Sequence, residues 1–378
     1  METPVGQALS FLGLAAHLGR GAGRVATDAV VGGLFGLPRT VEEIDPAVLS
    51  RVMGTTVRSI RILSRDAGTS ARARLVLTGK NVPESVFVKV AAQTAATRLM
   101  GELGRLGHTE VRFYRQLAPQ VIGVPYCYGA AFDAWTGRYL LVLEDLPAES
   151  CEFPDTLHPL SVDQASLVIE LLADLHATFW GRLPGDGRGP LGWLYTPSGD
   201  VTSLLTGALM HASIKRLAER TTIPVQNGTF IADNYRAVAS LIDTPPHTVM
   251  HGDAHPGNMY FHGGKAGLLD WQAVRRGHPC RELAYTLITS LTPEDRQATQ
   301  RDLLDDYRRA LAAAGGPELD RDDLWLRFRQ GALYAYVAPL ITTGMGGMQV
   351  EDIAMEGLRR GVAALEDLET IAALKGSL

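Results

Sequence analysis

His251-Gly252-Asp253-Ala254-His255-Pro256-Gly257-Asn258, with Asp270-Trp271-Gln272 after it, decides how this chain is read. An aspartate stands five residues before an asparagine, and a second aspartate follows twelve residues later. Thr248-Val249-Met250 is a short β-prone run that delivers His251 to a loop, and Pro256-Gly257 holds that loop open. Ala266-Gly267-Leu268-Leu269 is a second short apolar run, preceded by the turn-like His262-Gly263-Gly264-Lys265. Asp253, Asn258 and Asp270 are therefore expected to converge at one end of a hairpin. Phosphoryl transfer gives a reason for the set. An acceptor hydroxyl needs a carboxylate to take its proton. Nucleotide phosphates need a hard cation such as Mg²⁺, which takes amide and carboxylate oxygens. Turns use Asp, Asn and Gly for ordinary reasons too, but three spaced residues in strand context weigh against that plainer account.

HGDAHPGN followed by LLDWQ resembles the aminoglycoside phosphotransferase and choline kinase superfamily, which shares the protein-kinase fold. DWQ, with Leu172-Ala173-Asp174-Leu175-His176-Ala177 and Phe179-Trp180, is most similar to its ecdysteroid-kinase-like branch. The resemblance runs from about Pro38 to the C-terminus and is firmest over Val249–Ala284. It implies an α+β, protein-kinase-like, two-lobed fold. Residues 38–147 would form a nucleotide-binding lobe with an antiparallel sheet and a helix. Residues 148–378 would form a larger, mainly helical lobe for catalysis and acceptor binding, and residues 1–37 an apolar helical extension. It also implies ATP as donor, a small-molecule hydroxyl as acceptor, Asp253 as catalytic base, and Asn258 and Asp270 as holders of Mg²⁺. His251 and His255 would shape the loop. The branch carries Asp before the Leu-Ala of the next helix, where this chain has Glu282; the change is expected to alter loop anchoring more than chemistry.

Upstream, Ser85-Val86-Phe87-Val88-Lys89-Val90 alternates like a half-buried strand and sets Lys89 among β-branched residues. In a kinase signature that lysine reaches the nucleotide phosphates and is held by a glutamate on the next helix. His108 to Tyr114 is expected to open that helix, with Thr109 as N-cap and Glu110 as the partner of Lys89. Glu102 is the rival partner, although Gly101, Gly104 and Gly107 weaken a helix around it. Ser64 to Arg72 lies between the apolar runs Ile60–Leu63 and Leu75–Leu77, which suits a hairpin loop offering Gly68, Thr69 and Ser70 to phosphate oxygens. It is not a G-x-G-x-x-G. Tyr139 to Leu146 reads as a buried strand, and the resemblance implies that backbone groups of Glu144, Asp145 and Leu146 meet the adenine edge.

With 378 residues and 46% hydrophobic content, the chain can bury a large core and divide into two lobes. A net charge of -5 with scattered Lys and Arg gives no footprint for nucleic acid. Cys127, Cys151 and Cys280 form no C-x-x-C and read as reduced thiols of a cytoplasmic protein. Ala8 to Leu37 is apolar and Gly-rich, with no window clean enough for a transmembrane helix. Glu2 and the lack of a basic start argue against a secretory signal. The segment is expected to pack its apolar stripe on the nucleotide lobe, with membrane or partner contact through residues 8–37 as the second expectation.

Helices are expected over Val162–Trp180, Arg281–Ser290, Arg301–Ala314 and Leu324–Leu340, with His176 a satisfied core histidine. Gly181–Asp200 sits where an acceptor-binding insert is expected. A polycationic aminoglycoside would want an acidic wall. Trp193, Tyr195, Tyr334, Tyr336, Val337, Pro339 and Leu340 instead suit an apolar pocket for a lipophilic or steroid-like alcohol, or else core filling. Aminoglycoside-type O-phosphotransfer is the alternative in the same family. A metal-dependent hydrolase using His251, Asp253 and His255 is an alternative in another class, as is a nucleotide-binding scaffold without turnover.

Overall fold

The computed structural model describes residues 4–32, 36–183, 189–346 and 349–378. The chain forms two compact units. One comprises Met1–Gln120, Val124–Glu149 and Asp270–Ala273; the other comprises Val121–Gly123, Ser150–Leu269 and Val274–Leu378. The fold is α+β, with an antiparallel sheet in the first unit and a mainly helical second unit.

The first unit contains helices α1 (Pro4–Val31) and α2 (Pro46–Met53), strands β1 (Thr56–Ala67), β2 (Ser70–Lys80) and β3 (Ser85–Ala91), helices α3 (Ala95–Leu103) and α4 (Leu106–Gln116), and strands β4 (Cys127–Phe132) and β5 (Tyr139–Glu144). The five strands are antiparallel in the order β1-β2-β3-β5-β4. Alternate residues Leu75, Leu77, Val86, Val88, Val90, Leu140 and Val142 face one core with Leu49 of α2, the period-2 burial a half-covered sheet requires. Asp45 caps α2, accepting from Val48 N at 2.7 Å.

Three local expectations change. The loop expected over Ser64–Arg72 is mostly strand, because Arg65↔Ala73 and Asp66↔Arg72 continue the β1–β2 ladder and leave only Gly68-Thr69 to turn. Charged side chains at this sheet edge face solvent while their backbone pairs, so polarity misled the sequence reading. Helix α4 starts at Leu106, so Thr109 is a buried interior residue and not the N-cap. Gly107 serves contact: a Cβ there would lie 2.3 Å from the Tyr139 ring, so its absence lets α4 approach β5. Glu102 is helical despite its glycines, and it binds Arg24 at 2.8 Å.

Helix α1 packs on α3, but with its polar side inward. His17 bonds Leu103 O at 2.9 Å, Arg24 pairs with Glu102, and Asp28 pairs with Arg98 and Arg138. Leu9, Phe11, Leu12 and Val30 face outward at 63%, 61%, 66% and 82% exposure. Packing through an apolar stripe was the expectation; buried ion pairs override the pattern. No helix among the described residues is long and apolar enough to cross a membrane.

The second unit holds β6 (Cys151–Glu152), α5 (Val162–Phe179), α6 (Ser203–Ala218), α7 (Thr229–Asp233), α8 (Tyr235–Ile242), β7 (Thr248–Met250), β8 (Met259–His262), β9 (Lys265–Leu268) and β10 (Arg275–Gly277). Helices α9 (Pro279–Ser290), α10 (Pro293–Ala313), α11 (Arg321–Gly331), α12 (Leu333–Met345), α13 (Glu351–Asp367) and α14 (Thr370–Lys375) follow. Strand β7 pairs with β10, and β8 with β6 and β9. The β8–β9 turn is Gly263-Gly264, at φ 55° and 72°, the doubly positive turn that matches strand twist. Ser161 and Gln164 form a capping box on α5, and Asp320 accepts from Asp322 N and Asp323 N to start α11.

The stretch expected as one helix over Leu324–Leu340 is two, meeting at Ala332, and α10 begins earlier than expected, at a Thr292 cap. Tyr334, Tyr336, Val337 and Leu340 belong to a core cluster with Met210, Val225, Leu358 and Leu365. Of the expected acceptor insert, residues 184–188 lie outside the described residues; Trp193 is buried and Tyr195 O accepts from Arg276 N.

Candidate active site

Within the first unit, β3 carries Lys89 to the sheet face that α4 covers. Lys89 Nζ donates to Glu110 Oε1 at 2.8 Å and to Asp270 Oδ1 at 2.9 Å. The contact selects Glu110, not Glu102, as the partner of Lys89. All three side chains are largely buried. Burial disfavours the ammonium, yet the Asp270 and Glu110 carboxylates outweigh it and hold Lys89 above its ordinary value. Burial also pushes the Glu110 carboxyl up, and Asp270 adds to the rise against the pull of Lys89. Both directions follow from one cation shared by two carboxylates: the lysine is over-satisfied and the second carboxylate under-satisfied. Glu110 Oε2 is buried without a hydrogen-bond partner.

Asp270 holds φ 56°, a left-handed conformation that Asp tolerates better than most residues. Trp271 fixes it there, stacked on Phe113 of α4 with ring centroids 3.9 Å apart and planes at 5°. Phe113 lies one helical turn beyond Glu110, so a single helix positions both the glutamate and the aspartate loop.

The hairpin tip places Thr69 in a cleft also lined by Ala91, Ala92, Thr97, His108 and Tyr139. Gly68 N donates to Ser70 O at 2.9 Å, and Ser70 is buried. Asp145 pairs with Arg74 at 2.7 Å, and Glu144 N donates to Tyr126 O at 2.7 Å. The Glu144 N–H is therefore committed to the chain itself.

In the second unit, β7 ends at Met250 and hands the chain to a tightly bonded loop. His251 Nε2 donates to Leu269 O at 2.7 Å, and its Nδ1 accepts from Asp253 N at 3.3 Å. Asn258 Nδ2 donates to Asp253 O at 2.9 Å. Asp253 Oδ1 accepts from Tyr285 OH at 2.8 Å. Burial and the Asp253 carboxylate hold the Tyr285 phenol well above its usual value, so it stays a neutral donor that orients the carboxylate.

Glu282 anchors the loop from α9. Its oxygens accept from His251 N at 3.2 Å, Gly252 N at 2.6 Å and His176 Nε2 at 2.9 Å. His176 is buried and also bonds Tyr307 OH at 2.9 Å, a core histidine with both nitrogens satisfied. Burial alone would raise Glu282, but the hydrogen bond and charge of His176 outweigh it and its pKa is lowered.

Asn258 and Leu269 face each other across the mouth of the β8–β9 hairpin, with Leu269 N donating to Asn258 O at 2.8 Å. Since the Asn258 amide nitrogen points at Asp253 O, the amide oxygen is left as a hard donor. An amide oxygen is the hard donor type that suits Mg²⁺ better than zinc. The hydrolase set does not form, because His251 has both ring nitrogens committed within its own unit. No group of three His, Cys, Asp or Glu able to hold a metal occurs among the described residues.

Sequence reasoning named Tyr334 for the acceptor pocket but missed Tyr285 and Arg281, which line one cavity with it and with Gly252, Asp253 and Glu282. A usable signal existed for both, since Arg281 and Tyr285 are one helical turn apart on the helix that carries Glu282.

Residues 61–325 match the phosphotransferase enzyme family. No curated protein matches the chain. Among solved structures, a provisionally named aminoglycoside phosphotransferase from Ralstonia eutropha JMP134 is 15% identical, with 88% of this chain and 98% of that one covered at a TM-score of 0.54. Choline kinase from Cryptosporidium parvum Iowa II is 10% identical, with 84% and 91% covered at 0.52. An ethanolamine kinase from Plasmodium vivax is 12% identical, with 81% of each chain covered at 0.50. At such identities the likeness carries the fold alone, and that fold is kinase-like.

Proposed function

The chain belongs to the phosphotransferase enzyme family, and on that premise we propose that it moves the γ-phosphoryl group of ATP to a hydroxyl of a small molecule. The observation that carries this reading is Lys89 bridging Glu110 and Asp270. An ammonium has three donors; two are held by carboxylates, which leaves one to point at a phosphate oxygen. Thr69 and the backbone of Gly68 and Ser70 are proposed to contact the phosphates, and Asp145 and Leu146 the adenine edge. Asp253 accepts the proton of the acceptor hydroxyl as its oxygen bonds to phosphorus and the bond to ADP breaks. Tyr285 and Asn258 hold Asp253 in orientation for that step. Asn258 and Asp270 are the proposed ligands of Mg²⁺, which when bound neutralises charge on the phosphates. Positioning and charge neutralisation supply most of the acceleration.

For the acceptor, the lipophilic or steroid-like class finds support in the Tyr285 and Tyr334 rings beside Asp253. The aminoglycoside alternative loses ground because Arg281 lines that cavity, and like charges repel. The outward Leu9, Phe11, Leu12 and Val30 favour a second contact, with a membrane surface; liposome flotation unchanged by removing residues 1–37 would dismiss it. The three free cysteines suit a reducing, cytoplasmic setting.

A screen of ATP consumption over hydroxylated metabolites, with Mg²⁺ and with EDTA, tests the main reading. Cation-dependent transfer to at least one alcohol, absent in Asp253→Asn, is the expected result. Nucleotide binding with no transfer to any acceptor would make the chain a scaffold instead.

A further inference from the structure

The cavity beside Asp253 contains an arginine with which no carboxylate pairs among the described residues. Gly252, Asp253, Arg281, Glu282, Tyr285 and Tyr334 line it, all within the second unit. Arg281 is only 8% exposed. Its guanidinium carbon sits 3.8 Å from the centroid of the Tyr334 ring, a stacking contact that supplies no negative charge. Its Nε is buried with no hydrogen-bond partner, and so is the Tyr334 hydroxyl. Among the described residues no carboxylate pairs with it. The two acids in the lining are committed elsewhere: Glu282 to His176 and two backbone N–H groups, and Asp253 to Tyr285.

Arg275, on β10, adds a second guanidinium to the neighbourhood. Burial, then the charge of Arg281, holds it below its ordinary value. The Asp200 carboxylate acts on Arg275 in the opposite sense, so Arg281 is the guanidinium of this neighbourhood on which the argument rests.

Burying a guanidinium without a counter-ion is unfavourable unless something supplies the missing charge and hydrogen bonds. Arginine's planar fork fits carboxylate and phosphate oxygens best. Resting on the phosphotransferase reading above, we propose that the acceptor alcohol carries an anionic oxygen group, a carboxylate or a phosphate ester, which binds Arg281 while its hydroxyl meets Asp253. Arg281 is then the residue that decides acceptor class. Tyr334 lines the same cavity, stacks on the guanidinium and has a buried, unbonded hydroxyl.

Matched ligands test this in the full-length chain. Hydroxy acids and phosphate monoesters of three to six carbons are compared with the carboxamides and amino alcohols of the same skeletons, by calorimetry or ligand-observed NMR. The anionic members should bind at least ~10-fold tighter, and Arg281→Met should weaken them ~10- to 100-fold while leaving the neutral members unchanged. Arg281→Lys keeps the charge but loses the fork, and should retain part of the preference. Equal binding of carboxamides or amino alcohols by the unaltered chain overturns the proposal without any variant. So does an anionic preference that survives Arg281→Met in a folded protein. Comparing hydroxy acids with phosphate monoesters identifies which anion is meant. Arg281-dependent binding of the anions with no phosphoryl transfer would uphold this assignment and sink the phosphotransferase reading alone.

Discussion

The Lys89 cluster of the first unit and the Asp253 loop of the second solve opposite electrostatic problems. The cluster gathers three ionised side chains from positions 21 and 181 residues apart, one cation between two carboxylates, nearly out of water. The loop holds its working carboxylate with neutral donors: a phenol on Asp253 itself, an amide on its backbone, and backbone N–H groups on Glu282. The first arrangement is under-neutralised until something cationic arrives, which is a physical reason for the proposed metal ion to bind there. The second has its carboxylates hydrogen-bonded from within its own unit before any ligand arrives.

The largest expected effect separates the two regions by function. Asp253→Asn should lower turnover by ~10²–10⁴ while leaving ATP affinity largely intact, read by steady-state rates beside a nucleotide titration. An unaltered rate would remove Asp253 as base and collapse the contrast. Next is Lys89→Met, which leaves two buried carboxylates without their cation and should cost about 3–5 kcal/mol of stability in urea unfolding. The charge exchange Lys89→Glu with Glu110→Lys should recover part of the activity lost by either change alone. Lack of recovery would mean that the pair matters for more than its opposite charge.

Glu282→Gln sharpens the comparison on the loop side. It exchanges a charged acceptor of three buried hydrogen bonds for a neutral one, at a cost of about 1–3 kcal/mol, and should raise the acceptor KM more than the ATP KM. Equal rises would show that the anchor does not act through the Asp253 loop.

The smallest effect is on pH dependence, and here the two regions should answer in opposite directions. Glu282 has a lowered folded pKa, so its stabilisation is full above the ordinary glutamate value of 4.5 and is lost as pH falls through the folded value. Lys89 has a raised one, so its stabilisation is full below 10.5 and is lost as pH rises through the folded value. Glu110, pushed up by burial, is relieved by protonation and adds nothing to acid loss. Denaturant unfolding across pH should therefore show an acid limb flattened by Glu282→Gln and an alkaline limb flattened by Lys89→Met. Each variant flattening the other limb would reverse the assignment.

Much of this was visible in the sequence where the chemistry is local. The Asp253–Asn258 spacing, the alternation around Lys89 and the Gly-Gly turn each depend on residues within about ten positions, so strand period and turn chemistry settle them. What misled was polarity at edges and on helices. Arg65, Asp66 and Arg72 looked like loop residues, yet Arg65 and Asp66 sit on the exposed edge strand β1 with their backbone paired, and Arg72 lies on β2, paired on both sides. The apolar side of α1 looked core-facing, yet Asp28 pairs with Arg98 and Arg138, and a buried aspartate with two guanidiniums outweighs a few exposed leucines. Gly107 looked like a helix breaker, although the helix needs it to approach Tyr139.

By itself the sequence determined the loop that carries Asp253 and the strand that carries Lys89, because each follows from short spacing or periodicity; the α+β kinase-like fold and the roles expected of the two residues came from the resemblance those stretches bear to a known family. Only tertiary structure decided that Glu110 and not Glu102 meets Lys89, that Tyr285 orients Asp253, and that Arg281 is left without an anion beside it. Those outcomes depend on which faces of separate elements meet and on what remains unpaired once they have, and no spacing along a chain encodes an absent partner.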